Sequence, residues 1–263
     1  MLNIQIKNSF NGMKTYTPLL RELVVRDIKV RYRRSVLGML WTVLNPLMMM
    51  AVMTIVFSEL FASSIENFAI YYLSGYILYS FVNDSTTASL FSVVYNAALM
   101  KKVYIPKYMF PISKVASSLV NLGFSLVAML IVMAVTRTPL KFTLIFLPFL
   151  VFYIVLFSTG LGLILSTVYV FFRDCGHFYS IVMLVWMYLT PLFYPENILP
   201  ETIQSLLRFN PLYHYVNYFR DILLYGVWPG VQQNIICFGI AALIFVLGLW
   251  IFYKKQDKFI LYV

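Results

Sequence analysis

The sequence carries little charge for its length. Asp, Glu, Lys and Arg together make up 11% of the 263 residues, whereas hydrophobic residues make up 61%. A soluble domain usually contains about 25% charged residues and about 45–50% apolar ones. This scarcity of charge excludes a large soluble domain. It indicates an all-α integral membrane protein with a single domain over residues 1–263.

Cysteine, histidine and nucleotide-binding motifs are scarce or absent. The sequence has two cysteines and two histidines, which fall at different predicted depths or on opposite predicted sides of the membrane. They therefore predict no disulfide, metal centre or Ser/His/Asp site. The phosphate-binding pattern G-x-x-x-x-G-K-[ST] does not occur. We expect no catalytic site, metal or cofactor in this chain. A membrane enzyme that uses Asp84 or Asp174 is an alternative.

Positive charge, in contrast, is concentrated near the N-terminus. The net charge is +10, and cations crowd the first half of residues 24–47 but are missing from the second half. Residues 19–35 predict an amphipathic helix along the membrane interface, with a polar face of Glu22, Arg26, Lys29 and Arg33. Asp27 and Arg31 are spaced for an i,i+4 ion pair. The helix either docks anionic lipid or a soluble partner, or only anchors the chain's orientation. We expect no nucleic-acid partner.

Six apolar segments approach or exceed the roughly 20 residues needed to cross a bilayer. They are residues 37–61, 68–91, 112–135, 144–172, 179–193 and 232–252. Most Lys and Arg fall on one side of this topology, which predicts that both termini are cytoplasmic. The chain then divides into an interfacial N-terminus (1–36), a six-helix membrane domain (37–252) and a cytoplasmic tail (253–263).

Polar and small residues interrupt the spans in three places. Residues 83–87 are polar, and Asp84 either faces a bundle interior or lies near the cytoplasmic interface. In the fourth span Ser158, Gly162 and Ser166 recur at steps of four, which favours close helix packing. The segment after residue 193 is too polar for a span and predicts two short amphipathic helices, residues 201–209 and 213–224, outside the membrane or re-entrant.

Aromatic residues are abundant, at 18% of the sequence with 20 Tyr and 23 Phe. Tyr72, Tyr76 and Tyr79 share one face of the second span, and Trp186 and Tyr188 lie on the fifth span. A phenol has an apolar face and a hydrogen-bonding tip, which suits sugar rings. We expect these five residues to contact a sugar chain. An interfacial aromatic belt is the alternative.

Five stretches together resemble one known family. They read RDIKVRYRRSVLGMLWTVLNPL, NAALMKKVYIPKYMFPIS, FRDCGH, TPLFYPENILP and RFNPLYHYVNYFRDILLYG. In this order they resemble the permease subunit of ABC-2 type polysaccharide exporters, which are the O-antigen and teichoic-acid exporters of bacteria. The resemblance covers nearly the whole chain.

The resemblance implies a homodimeric permease with a separate ATPase subunit that carries ATP and Mg²⁺. It implies that residues 24–35, 96–109 and 173–177 contact the ATPase. The residues concerned would be Arg26, Arg31, Arg33, Lys101, Lys102, Tyr104, Arg173 and Asp174. It further implies that spans 1, 2 and 5 line the path and that the helices after span 5 form an outer gate.

The function expected from the sequence is therefore export of a lipid-linked polysaccharide across the bacterial inner membrane. The chain would be a transport subunit and not an enzyme. The main alternative is an ABC-2 permease for a small hydrophobic, drug-like substrate. A membrane-embedded enzyme or assembly factor is a third possibility.

Overall fold

The computed structural model describes residues 2–33, 35–103 and 105–262, with side chains described from residue 16 onward. Within these ranges the chain is helical and contains no strand, so the all-α prediction is confirmed. The helices are α1 (Leu2–Tyr32), α2 (Leu40–Phe57), α3 (Phe68–Tyr95), α4 (Ala97–Lys102), α5 (Met109–Val135), α6 (Leu147–Phe171), α7 (Cys175–Leu189), α8 (Glu201–Leu207), α9 (Pro211–Arg220), α10 (Val231–Lys255) and α11 (Phe259–Tyr262).

Four of the described helices are long and apolar enough to cross a membrane, namely Leu40–Phe57, Met109–Val135, Phe142–Phe171 and Val231–Tyr262. The remaining two of the six predicted spans correspond to α3 and α7. Helix α3 has 28 residues, but its polar half lowers its hydropathy. Helix α7 is apolar but has only 15 residues. The prediction of six spans is therefore supported by composition for four helices and stays a prediction for the other two.

Helix α3 is the centre of the bundle. It packs against α2, α5, α6, α7 and α9, and its residues are buried along most of its length. Serine hydroxyls in this buried helix donate to carbonyls of the preceding turn, as Ser85 does to Val82 and Ser89 to Ser85. These bonds satisfy polar groups that would otherwise be buried unpaired. The buried serines of α3 are thus accommodated inside the bundle by bonds within their own helix.

Small residues set the closest helix contacts. Gly162 lies against Ser89 of α3, where an added Cβ would be 2.8 Å from the serine Cβ, so the predicted packing face on α6 is confirmed at this residue. Gly160 and Gly248 bring the backbones of α6 and α10 together. A Cβ on Gly160 would lie 2.5 Å from the Ile244 carbonyl oxygen, and one on Gly248 would collide with the Gly160 carbonyl. Only glycine fits at either position.

The helix bundle has two ends, and we name each of them after a short helix that lies there. The α4 end holds the C-terminus of α3, the N-terminus of α5, α4 and α11. The α9 end holds α8 and α9, the two helices predicted after the fifth span, whose existence is confirmed. One face of helix α9 is buried in the bundle, since Tyr215, Tyr218 and Phe219 are at most 1% exposed.

Helix α9 continues into a π-helix at Asp221–Tyr225, which ends at Gly226 with a left-handed φ of +66°. The last carbonyls of a helix have no partner within it. Side chains from the segment before α6 bind two of them: the Thr143 hydroxyl donates to the Ile222 oxygen at 2.6 Å, and Lys141 Nζ donates to the Leu224 oxygen. Side chains from another segment therefore stabilise the π-helix.

Candidate functional site

A cavity of about 450 Å³ lies between α1, α2 and α3, and we call it the middle cavity. Tyr76 lines it together with Trp41 and Asp84. The Tyr76 ring is stacked on Tyr72, with centroids 5.4 Å apart and an interplanar angle of 19°. Tyr72 is 2% exposed and Tyr76 is half-buried. Of this predicted pair, only Tyr76 presents its phenol to the cavity.

A second cavity of about 560 Å³ lies at the α4 end, and we call it the basic cavity. Arg26, Arg31 and Lys114 line it with one acid, Asp27. Asp27 forms ion pairs with Lys114 at 2.8 Å and with Arg26 at 3.4 Å. The predicted pairing of Asp27 with Arg31 is therefore wrong, because α5 supplies a closer partner than the next turn of α1. Arg31 and Asn121 line both cavities, so the two are neighbours.

Helix α1 has the two faces that the sequence predicts. Leu23 is 4% exposed and packs with Ile105, Met109 and Phe110, whereas Arg26 and Arg33 are exposed. Arg26 Nη2 also donates to Asn96 Oδ1 at 3.1 Å, which joins α1 to the end of α3. The position of this helix in a membrane interface stays a prediction.

Tyr79 joins α3 to α7. Its ring is 7% exposed, and its hydroxyl donates to the Met183 carbonyl at 2.8 Å. Two turns further along α3, the hydroxyls of Thr86 and Tyr179 are 2.6 Å apart. The expectation that the second and fifth predicted spans adjoin is confirmed. The Tyr79 hydroxyl is consequently occupied by a helix–helix bond.

Trp186 and Tyr188 lie on different sides of α7. The Trp186 indole N–H donates to Asn210 Oδ1 at 2.7 Å, and its ring meets Phe157 edge-on. Tyr188 is 57% exposed and contacts Phe193. The structure thus brings Tyr72 and Tyr76 together but gives Trp186 and Tyr188 separate surroundings within this one chain.

Of the residues predicted to contact an ATPase, Lys101, Lys102, Arg173 and Asp174 lie at the α4 end. Lys101 and Lys102 end α4 and are exposed, as are Arg173 and Asp174. Arg173 Nη2 donates to the Tyr262 carbonyl at 3.0 Å, and its guanidinium lies 5.4 Å from the centre of the Tyr169 ring. Tyr104 lies outside the described residues.

The C-terminal helix α11, which the sequence indicated only as a basic tail, connects these loops. Phe259 is fully buried against Phe171 and Phe252. Lys107 Nζ lies over the Phe259 ring and donates to the Gln256 carbonyl at 2.6 Å. The loop after α4 and the turn before α7 are therefore both held by residues 256–262.

Arg220 is the residue that sequence reasoning missed. It lies in a segment that the sequence places outside the membrane or re-entrant, but it is 3% exposed. Its Nη2 donates to the carbonyls of Tyr71 (3.3 Å), Pro191 (2.9 Å) and Leu192 (3.2 Å). Gly75 makes room for it, since a Cβ there would lie 3.3 Å from the same nitrogen. The sequence feature that could have indicated this role is a lone arginine within a helix rich in Tyr and Phe.

A third cavity, of about 500 Å³, opens at the α9 end, and we call it the α9-end cavity. Its lining is rich in hydrogen-bonding side chains, namely Glu196, Asn197, Tyr213, His214, Asn217, Arg220, Asp221 and Gln233. The Tyr213 hydroxyl donates to Glu196 Oε2 at 2.8 Å, and burial together with this bond raises the pKa of Tyr213 to about 12. Gln233 Nε2 donates to Asp221 Oδ2 at 2.8 Å, while burial raises the pKa of Asp221 above its ordinary value.

No group of three or more His, Cys, Asp or Glu side chains that could hold a metal ion occurs among the described residues. The polar groups of the three cavities can bind and orient hydroxyl or charged groups. They do not form a nucleophile–base pair.

Comparison with known proteins gives one family and several relatives. The family model for ABC-2 type transporters matches residues 18–224. An O-antigen export system permease protein of Klebsiella pneumoniae is 29% identical over 242 residues, which are 92% of this chain and 93% of the relative. A protein of the same description from Myxococcus xanthus is 30% identical over 247 residues, 93% of this chain and 95% of the relative. A capsule polysaccharide export inner-membrane protein of Neisseria meningitidis is 25% identical over 214 residues, covering 75% and 76% of the two chains.

Proposed function

Because this chain belongs to the ABC-2 type transporter family, we propose that it is the permease subunit of an ATP-driven exporter of lipid-linked cell-surface polysaccharide. The observation that carries the proposal is the nearly full-length similarity to permeases described as O-antigen or capsule polysaccharide exporters. O-antigen, teichoic acid and similar glycans share the required chemistry, a long hydroxyl-rich chain on a lipid anchor.

The partners of the proposed exporter follow from the family and from the surfaces of one chain. A separate ATPase subunit with ATP and Mg²⁺ drives transport and docks at the α4 end. A second copy of the chain completes the path. Helix α2 supports this part of the proposal, since only 6% of its span is buried within one chain, against 22–33% for the other three candidate spans.

The proposed topology has six spans, α2, α3, α5, α6, α7 and α10, with both termini in the cytoplasm. Helix α1 lies along the inner membrane interface, and α8 and α9 form the outer gate. Support comes from the charges of α1 and α4, because cations beside spans stay on the cytoplasmic side. The middle cavity, with Tyr76, is the part of the path that one chain contributes.

Gene deletion and complementation in the native bacterium test the proposed function. We expect deletion to remove surface polysaccharide and to leave lipid-linked polymer inside the cell, and the wild-type gene to restore export. A variant of the partner ATPase that cannot hydrolyse ATP is expected to mimic the deletion. Normal surface polysaccharide combined with altered resistance to hydrophobic drugs would instead support the drug-permease alternative.

A further inference from the structure

The α9-end cavity is built by segments that are far apart in the sequence. Its walls come from the loop before α3, the segment after α7, helix α9 and the start of α10. Tyr213, Asn217 and Asp221 recur at steps of four, so they share one face of the α9 segment. The opposite face holds Leu212, Tyr215 and Phe219, which are buried in the bundle. Helix α9 therefore holds a polar row at the cavity wall.

The cavity has the size and functional groups of a small-ligand site. Its volume of about 500 Å³ lies within the roughly 300–1,000 Å³ range of such sites. Glu196 and Asp221 each have one oxygen engaged by a neutral donor, Tyr213 or Gln233, which leaves the other oxygen for a ligand. Asn217 and His214 add half-buried donors and acceptors. Hydroxyl pairs of a sugar match such carboxylates and amides.

Two further observations set this cavity apart from an ordinary polar cleft. Asp221 begins the π-helix, and π-turns are rare and frequently occur at functional sites. Arg220, in the lining, is 3% exposed, and its Nε has no hydrogen-bond partner. Its Nη2 donates to three backbone carbonyls. The lining holds two carboxylates, Glu196 and Asp221, against this one cation, so its formal net charge is negative.

We infer that the α9-end cavity is a sugar-binding subsite that accepts neutral, hydroxyl-rich sugar residues and rejects anionic ones. The inference rests on the proposed function, since it assigns a preference to the polymer that the chain exports. Neutral sugars gain hydrogen bonds to Glu196 and Asp221, whereas a sugar carboxylate is repelled by both acids. The subsite lies away from Tyr76 and the middle cavity, at the opposite end of the bundle from α4.

Binding to the full chain in lipid nanodiscs tests the subsite. The probes are maltotriose, which is neutral, and trigalacturonate, which has the same number of rings but carries carboxylates. Saturation-transfer NMR at pH 7 follows both. We expect maltotriose to bind in the millimolar range and trigalacturonate to bind at least about fivefold more weakly, because like charges in a half-buried site repel.

The double variant Glu196→Gln, Asp221→Asn removes both charges but keeps the shape of each side chain and an oxygen acceptor for Tyr213 and Gln233. We expect the preference for maltotriose to fall to within about twofold, as the repulsion is lost. Glu201→Gln is the matched control, since Glu201 is an exposed acid of α8 outside the cavity lining. Its preference should equal that of the wild type.

Three results would overturn the subsite: no binding of maltotriose, equal binding of both probes to the wild type, or an unchanged preference in the double variant. The proposed function is judged separately, by surface polysaccharide after complementation. A chain that restores export but shows no preference refutes only the subsite. A chain that shows the preference but does not restore export refutes only the proposed function.

Discussion

The guanidinium carbon of Arg220 lies 3.5 Å from the centre of the Tyr71 ring, although Arg220 is almost fully buried. A buried charge is costly unless it is compensated. Here the compensation comes from the ring face and from backbone carbonyls at Tyr71, Pro191 and Leu192. Because these carbonyls belong to α3 and to the segment after α7, one side chain fixes α9 against both.

Replacing Arg220 by Met should destabilise the protein by about 1–3 kcal/mol, since it leaves buried carbonyls without a donor. The stability of Arg220→Lys should lie between those of the wild type and Arg220→Met. The lysine ammonium reaches fewer of the carbonyls than the guanidinium does, and it does not stack on the Tyr71 ring. Thermal unfolding of the purified protein in detergent measures both. Arg208→Met, at an exposed arginine of the same segment, is the control. Equal midpoints for Arg220→Met and Arg208→Met would refute this role.

Gly160→Ala should lower the stability by about 1–3 kcal/mol, because the added Cβ would overpack the contact between α6 and α10. That Cβ would lie 2.5 Å from the Ile244 oxygen. Gly239 is on the exposed face of α10, and a Cβ added there has open space around it. Gly239→Ala should therefore cause no loss of stability. Size-exclusion profiles and unfolding midpoints compare the stability of the two variants. Similar behaviour of the pair would contradict the packing argument.

Tyr76→Leu should lower the export of surface polysaccharide severalfold while the protein still inserts, because it removes a phenol from the middle cavity. Tyr79→Phe should act differently and cost about 1 kcal/mol of stability, since it removes only the bond to the Met183 carbonyl. Leucine at Phe149 or Phe152, both 54% exposed on α6, provides the control. If Tyr76→Leu exports as well as these controls, the path lies elsewhere.

Reversing the charges of Lys101 and Lys102 should uncouple ATP hydrolysis from export while the protein remains in the membrane. The expected cause is loss of contact between α4 and the ATPase subunit. Lys255→Glu with Lys258→Glu, also exposed at the α4 end, is a charge-matched control. The measurement is the ratio of polymer exported to ATP hydrolysed in vesicles, and we expect it to fall in the Lys101 and Lys102 variant but not in the control variant. The same ratio in both variants would mean that Lys101 and Lys102 serve only to orient the chain in the membrane.

Cysteines placed at Glu66 and Glu201 should react with an impermeant thiol reagent added to intact cells, and one at Lys102 should not. All three positions are exposed in the structure, so a difference reports the side of the membrane and not burial. The native Cys175 and Cys237 must first be replaced. Labelling at Lys102 but not at Glu66 or Glu201 would reverse the proposed topology.

The helices were predictable because apolar length is a property of one continuous stretch. The predicted 144–172 agrees closely with α6 (Leu147–Phe171), and 232–252 lies within α10 (Val231–Lys255). Helix α3 is harder to identify as a span from its composition, because many of its polar residues are buried among five other helices.

The contacts between helices were less predictable, because they depend on which residues meet across the bundle. Asp27 pairs with Lys114, 87 residues away, and not with its neighbour Arg31. The sequence pointed to Gly162 through its four-residue repeat, but Gly160 and Gly248 have no such repeat and meet only in three dimensions. Arg220 likewise has its partners on distant segments.

Helix α11 has a consequence for the order of biosynthesis. A chain is made from its N-terminus, so the loop with Lys107 and the turn with Arg173 leave the ribosome well before the helix that holds them. Neither contact exists until Gln256 and Tyr262 have been synthesised. The surface at the α4 end therefore lacks both contacts until residues 256–262 have been made, and a chain interrupted after α10 would present that surface without them.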